Sequence, residues 1–209
     1  MTFYRRNLPH WHPEGASIFL TWRLFGSLPV SLQVSRGTAN PGCALPAKEP
    51  GNTARIGCAT NPQDSPGKRF KLLDAALDKA TKGPFWLKDS RIARSVTHAI
   101  YTGESVLGFY VLHAFVVMPN HVHLLIMPKV ALARITNGMK GVSARDANSI
   151  LGRKGKHFWQ DESFDHWVRT SKEFDRIRTY IEHNPVSAGL TTQPQDWPWS
   201  SASPKPPSL

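Results

Sequence analysis

The chain of 209 residues carries 26 Lys and Arg against 15 Asp and Glu, a formal net charge of +11. That balance favours a polyanionic partner, because each phosphate neutralised releases condensed counterions. The length suits one well-filled domain, and two cysteines, Cys43 and Cys58, outside any CxxC spacing, argue against a zinc module or a disulfide framework.

From Met1 to Pro13 there is charge but no continuous apolar run, so no signal peptide is expected and the protein is read as cytoplasmic. Ser17 to Phe25, β-branched and aromatic, is expected to form the first strand. From Pro29 to Gly67 the chain turns to Gly, Pro, Ala, Ser, Thr and Asn. It lacks the apolar surface to offset its ordering entropy, and is expected to be a disordered insertion over 29–67. The flanking parts, 1–28 and 68–201, then form one domain.

Phe70 to Leu77 reads as a short helix, and Asp89 to Tyr101 as a longer one, with Ile92, Val96 and Ile100 on one stripe and Gly103 ending it. Tyr110 to Val117 and His121 to Met127 read as two strands joined by a turn at Pro119-Asn120. The apolar run from Phe109 to Met127 is broken by polar residues and reads as this hairpin, with no membrane span expected. Leu132, Ile135, Met139 and Val142 mark a further helical face. A basic turn, Gly152 to Lys156, leads into His157-Phe158-Trp159-Gln160, and Asp165 to Arg169 reads as a short strand. The last helix is expected from Thr170, capped in the Thr170/Glu173 box pattern, with Phe174, Ile177 and Ile181 buried. Asn184 precedes Pro185, which disfavours helical geometry, so the helix is expected to stop there. Trp197-Pro198-Trp199 is expected to pack down the tail, and the last residues, 202–209, to be flexible. This order predicts an α+β fold, a ferredoxin-like antiparallel sheet with helices packed on it.

On the strand Met118-Pro119-Asn120-His121-Val122-His123-Leu124-Leu125-Ile126, period-two geometry turns His121 and His123 to one face and Val122, Leu124 and Ile126 to the other. Two imidazoles side by side begin a metal site, but the same pair could be half-buried histidines making ordinary hydrogen bonds. Tyr180 and Asn184, four apart, share a helix face if the last turn stays helical. At 100° per residue Tyr180 lies about 60° from Ile177, at the edge of the apolar stripe. Alone it reads as a boundary tyrosine, and Asn184 as a helix C-cap. Together with the histidines they suggest more. A phenol needs activation to attack at neutral pH, a divalent metal can polarise a phosphate oxygen, and Asn184 can offer an amide oxygen beside the nucleophile.

At these residues the sequence resembles a known family. Val117 to Leu125 resembles the paired-histidine (HUH) motif of the single-tyrosine, IS200-like transposases. Tyr180-Ile181-Glu182-His183-Asn184-Pro185-Val186 resembles the Tyr-Ile-x-x-Asn-Pro-Val pattern of their REP-associated branch. Phe158-Trp159-Gln160, Phe164 to Arg169 and Thr21-Trp22-Arg23 are similar to the same branch, so that the likeness covers most of 15–27 and 85–201. The resemblance implies a metal-dependent nuclease that nicks and joins single-stranded DNA. Tyr180 would attack the scissile phosphate and leave a 5′-phosphotyrosine with a free 3′-OH. His121, His123 and Asn184 would hold Mg²⁺ or Mn²⁺; the family commonly has Gln where this chain has Asn184. It implies as substrate a hairpin-forming repeat with a short flanking tetranucleotide. Asp165 and His166 are second-shell candidates or DNA contacts.

For DNA binding the sequence offers Arg5, Arg6, Arg23, Lys140, Lys154, Lys156, Trp159 and Arg169, a set matching phosphate tracking with base stacking. Two other functions compete with the transposase reading. One is a domesticated DNA-hairpin-binding protein without turnover, and the other is a metal-dependent hydrolase in which Tyr180 is structural. The protein is expected to act as a monomer or homodimer.

Overall fold

The computed structural model describes residues 2–5, 9–12, 15–28 and 66–204, with side chains over 15–28 and 70–204. The insertion expected over 29–67 lies outside these residues except for Pro66 and Gly67, which open a helix; the residues after 204 lie outside them too. The chain divides into two compact units, one of Met1–Ser27 with Thr81–Leu209, the other of Leu28–Ala80. In the second unit the described element is helix α1, Pro66–Asp78.

The first unit begins with a two-stranded antiparallel sheet, β1 (Thr2–Arg5) with β2 (Pro9–His12). Its main sheet has four strands: β3 (Ile18–Arg23), β4 (Tyr110–Val117), β5 (His121–Pro128) and β6 (Phe164–Trp167). They lie in the order β4-β5-β3-β6, every pairing antiparallel. Helices α2 (Ser90–Ser105), α3 (Leu132–Ile150) and α4 (Ser171–Ser187) complete it. The path β3-α2-β4-β5-α3-β6 is the split β-α-β of a ferredoxin-like fold, so the fold class read from the sequence holds.

Alternation along the strands makes two faces. Leu20, Trp22, Phe115, Val117, Val122, Leu124 and Ile126 join Ile92, Val96, Ile100, Ile135 and Met139 in one core. The opposite face carries Phe19, Thr21, His121 and His123, and α4 lies across it, with the ring of Tyr180 edge-on to Phe19 at 6.2 Å. β4 does not keep one alternation. Its register shifts between Leu112 and Ala114, leaving His113 as a bulge. Tyr110 and Leu112 face the core before it, and Phe115 and Val117 after it. His113 meets Phe174 of α4, ring centroids 5.0 Å apart.

Several local expectations are corrected. Helix α2 runs through Gly103 to Ser105. Gly103 is there because of a close approach: a Cβ on it would lie 2.5 Å from the Tyr110 hydroxyl, which donates to the Ile100 carbonyl. On α3, Val142 is 45% exposed and Ser143 takes the buried position. Its hydroxyl donates to Met139 O and accepts from the Trp159 indole. Helix α4 continues through Pro185 to Ser187. Asn184 and Pro185 are both buried, so packing outweighs the local bias against helix before proline. Asn184 is therefore an interior helical residue, its carbonyl accepting from Ala188 N at 3.0 Å.

The tail packs as expected. Trp197 Nε1 donates to Val117 O at 3.0 Å, and Val117 N donates to Trp199 O at 2.8 Å.

Candidate active site

Two short-range rules bring the site together. Strand β5 turns His121 and His123 to the same face, both fully buried, with their Nε2 atoms 3.0 Å apart. Each ring is held from behind. His121 Nδ1 lies 2.7 Å from Asn120 Oδ1, and His123 Nδ1 lies 2.7 Å from Thr21 Oγ1. An amide oxygen only accepts, so Nδ1 of His121 carries the proton and its Nε2 presents a lone pair. A threonine hydroxyl both donates and accepts, so Thr21 can suit either tautomer of His123. Neither Asn120 nor Thr21 stands out in the sequence as a site residue. The signals were there: Asn120 directly precedes the pair, and Thr21 lies directly opposite His123 in the β3–β5 register.

Helix α4 supplies the other half. Tyr180 is 37% exposed, and its ring centroid is 5.7 Å from that of His123. Phe19 fills the space between strand and helix, stacked on His123 at 5.6 Å. One turn beyond Tyr180, Asn184 is 1% exposed, and neither its Oδ1 nor its Nδ2 has a hydrogen-bond partner among the described residues. An unpaired buried amide costs about 1–3 kcal/mol, an expense normally found where a ligand belongs.

The cationic and aromatic residues divide. Arg23 lies across from His121 in the β3–β5 register and so shares its face. Burial lowers its guanidinium pKa, and its Nη1 donates to Ser27 Oγ at 3.4 Å. Lys154, Lys156 and Arg169 are exposed, with the Arg169 guanidinium 5.4 Å from the Trp167 ring. Arg5 lies on β1, and Arg6 is outside the described residues.

Two expected DNA contacts have structural work instead. Lys140 Nζ donates to the carbonyls of Gln160 and Asp161 at 2.9 and 3.1 Å. Trp159 is 6% exposed, edge-on to Trp22 in the core, and cannot stack on a base.

On β6, Asp165 is opposite Leu20 and His166 opposite Phe19. Asp165 therefore falls on the α2–α3 face, away from the histidine pair, while His166 faces the α4 side. There its Nε2 is 3.0 Å from Glu173 Oε1. Glu173 also accepts from Arg169 N at 2.9 Å, and its own N–H donates to Thr170 Oγ1 at 3.1 Å. The N-cap is thus as the sequence implies, but the carboxylate reaches one residue further back than a capping box would send it.

Across this ferredoxin-like sheet, with two buried imidazoles under a tyrosine-bearing helix, residues 87–184 match the model of the family described as transposase IS200 like. That span includes His121, His123, Tyr180 and Asn184, and the resemblance read from the sequence holds. More particularly, the chain is similar to the REP-associated tyrosine transposases. One from Escherichia coli (strain K12) is 28% identical over 96 residues, 43% of this chain and 53% of that protein. The chain thus matches about half the length of that relative. A solved REP-associated tyrosine transposase bound to a REP hairpin shares the fold with a TM-score of 0.51 at 18% identity, over 96% of this chain and 82% of that one.

Proposed function

We propose that the protein is a metal-dependent single-strand DNA endonuclease and strand transferase that works through a 5′-phosphotyrosine on hairpin-forming repeat DNA. The observation that carries this reading is the His121–His123 pair beneath Tyr180 with an unpartnered, buried Asn184 one helical turn away.

The donor set fits a divalent cation such as Mg²⁺ or Mn²⁺. Two nitrogens each ~2.1 Å from one ion and at right angles lie ~3.0 Å apart, which is the separation of the two Nε2 atoms. His121, His123 and the Asn184 amide oxygen would hold the ion, with Asn120 and Thr21 orienting the imidazoles. When bound, it would supply charge stabilisation to the phosphate oxygens.

The chain's own groups do the rest. The hydroxyl of Tyr180, a residue open to solvent, attacks the scissile phosphorus and passes its proton to water as the Oη–P bond forms. The P–O3′ bond breaks, and the leaving 3′-oxygen takes up a proton. The phosphotyrosine conserves the energy of the broken diester, so the reverse attack by a 3′-OH rejoins DNA without ATP. Arg23, on the His121 side, would neutralise phosphate charge, and the exposed Lys154, Lys156 and Arg169 would follow the backbone. The solved relative bound to a REP hairpin supports this substrate class.

Incubation with labelled single-stranded hairpin DNA and Mn²⁺, resolved on a denaturing gel, tests the reading. A covalent adduct that disappears in Tyr180→Phe is expected. Cleavage surviving that substitution would point to water as the nucleophile, and binding without cleavage would point to a domesticated hairpin binder. Among the described residues no helix is long and apolar enough to cross a membrane.

A further inference from the structure

Beyond the end of β3 the chain makes an exposed aromatic stack that neither the core nor the histidine site uses. Phe25 is 49% exposed, yet its ring lies over His157 with centroids 5.3 Å apart and planes 27° from parallel. His157 is exposed as well. A phenyl ring left half in water at a turn gains little for stability, and an ordered pair of such rings offers a flat face to a further ring.

Both halves are fixed in place. Phe25 N donates to Phe158 O at 2.8 Å, Gln160 N donates to Arg23 O at 2.9 Å, and Leu24 bridges to Trp159. Gly26, at φ 78°, then turns the chain away, a conformation that favours glycine. On the other side the basic turn before His157 is tied to α3. Asn148 Nδ2 donates to Lys156 O at 2.7 Å, and Arg153 N donates to Asn148 O at 2.8 Å. The platform is therefore rigid before anything binds.

Its surroundings indicate the occupant. Lys154 and Lys156 are exposed on the adjoining turn, so a polyanion is favoured beside the rings. Leu24 is fully buried, so Arg23 and Phe25 on either side of it turn to the opposite face, and Arg23 is the residue paired with His121. The stack thus lies two residues along the chain from the position facing the histidine site. We infer that Phe25 and His157 form a stacking platform for an unpaired base of single-stranded DNA, next to the phosphate held at the site, with Lys154 and Lys156 receiving the neighbouring phosphates. This deepens the nuclease reading and rests on it for the identity of the strand. Stacking of this kind tolerates any base, since every base has a π-face.

The test pairs two readouts on the full chain. The first is affinity for oligothymidylate containing a single 2-aminopurine, followed by anisotropy and by quenching of the 2-aminopurine. The second is the covalent adduct with hairpin DNA. Phe25→Ala is expected to weaken oligothymidylate binding about tenfold, ~1.4 kcal/mol, and to abolish the quenching, while Phe25→Trp restores both. Lys156→Ala is expected to weaken binding and flatten its salt dependence while leaving the quenching at saturation intact. Unchanged affinity and no quenching in the wild type would overturn the platform, even if the Tyr180 adduct forms normally. Quenching lost in Phe25→Ala without any adduct would keep the platform and overturn the nuclease. No binding to either DNA would overturn both.

Discussion

Thr21 Oγ1 lies 2.7 Å from Nδ1 of His123, across the β3–β5 pairing. The hydroxyl sets which nitrogen of His123 carries the proton. With Thr21 donating, His123 Nε2–H can donate to His121 Nε2. With the hydroxyl turned to accept, both Nε2 atoms present lone pairs, as ligation requires. Thr21→Val keeps the shape and removes the hydroxyl. Mn²⁺ affinity measured by titration calorimetry is expected to fall about 10–100-fold, and an unchanged affinity would remove Thr21 from the site.

Asn184 gives a prediction of opposite sign for stability and function. Its buried amide lacks partners among the described residues, so Asn184→Leu, which keeps the branching at Cγ, is expected to raise stability in EDTA by about 1–2 kcal/mol. The same variant is expected to lose the extra stabilisation that Mn²⁺ gives the wild type. Thermal melts with and without the ion measure both. A variant less stable in EDTA would show that the amide is satisfied in solution.

Glu173 predicts a pH dependence. Burial pushes its carboxyl up, but hydrogen bonds from Arg169 N–H and His166, with the charges of His166 and Arg176, outweigh this and hold it below the ordinary range. A carboxylate held low in the folded state stabilises the fold above its unfolded value, about 4.3, and loses that contribution as pH falls through the lowered value. Glu173→Gln is expected to cost about 0.5–1 kcal/mol near neutrality. Urea titrations from pH 7 down to pH 3 should show the gap between variant and wild type closing on the acid side. A gap that widens toward acid would contradict the assignment.

At Gly103, helix propensity and packing conflict. Alanine would favour the helix by about 1 kcal/mol, but its Cβ would meet the Tyr110 hydroxyl at 2.5 Å and the ring at 2.8 Å. Overpacking of a buried ring costs about 1–3 kcal/mol, so Gly103→Ala is expected to lower the melting temperature by a few degrees. Adding Tyr110→Phe, which removes the nearest atom, should recover part of the loss.

How much was legible in the sequence follows from how local each signal is. The shared face of His121 and His123 needs only a period of two, and the shared face of Tyr180 and Asn184 only a period near four. What escaped depended on contacts between distant segments. The helix passes Pro185 because Asn184 and Pro185 are buried, which no local rule states. The bulge at His113 re-phases β4 and has no mark in composition. Trp159 and Lys140 look like DNA contacts until the indole meets Ser143 and the amine meets two carbonyls. Phe25 reads as the end of a strand, and its exposure emerges only once Gly26 turns the chain.

The distribution of burial across the site has an evolutionary consequence. His121, His123 and Asn184 are at 0%, 0% and 1% exposure, whereas Tyr180 is at 37%. Tyr180, the proposed nucleophile, is the member whose loss the packing would least notice. Under the proposed mechanism, a lineage in which nicking became harmful could discard Tyr180 in one step and inherit an intact scaffold, with its basic surface unchanged. The architecture guards its shape more closely than its proposed chemistry, so that a nuclease of this build would stand one substitution from a DNA-binding protein without turnover.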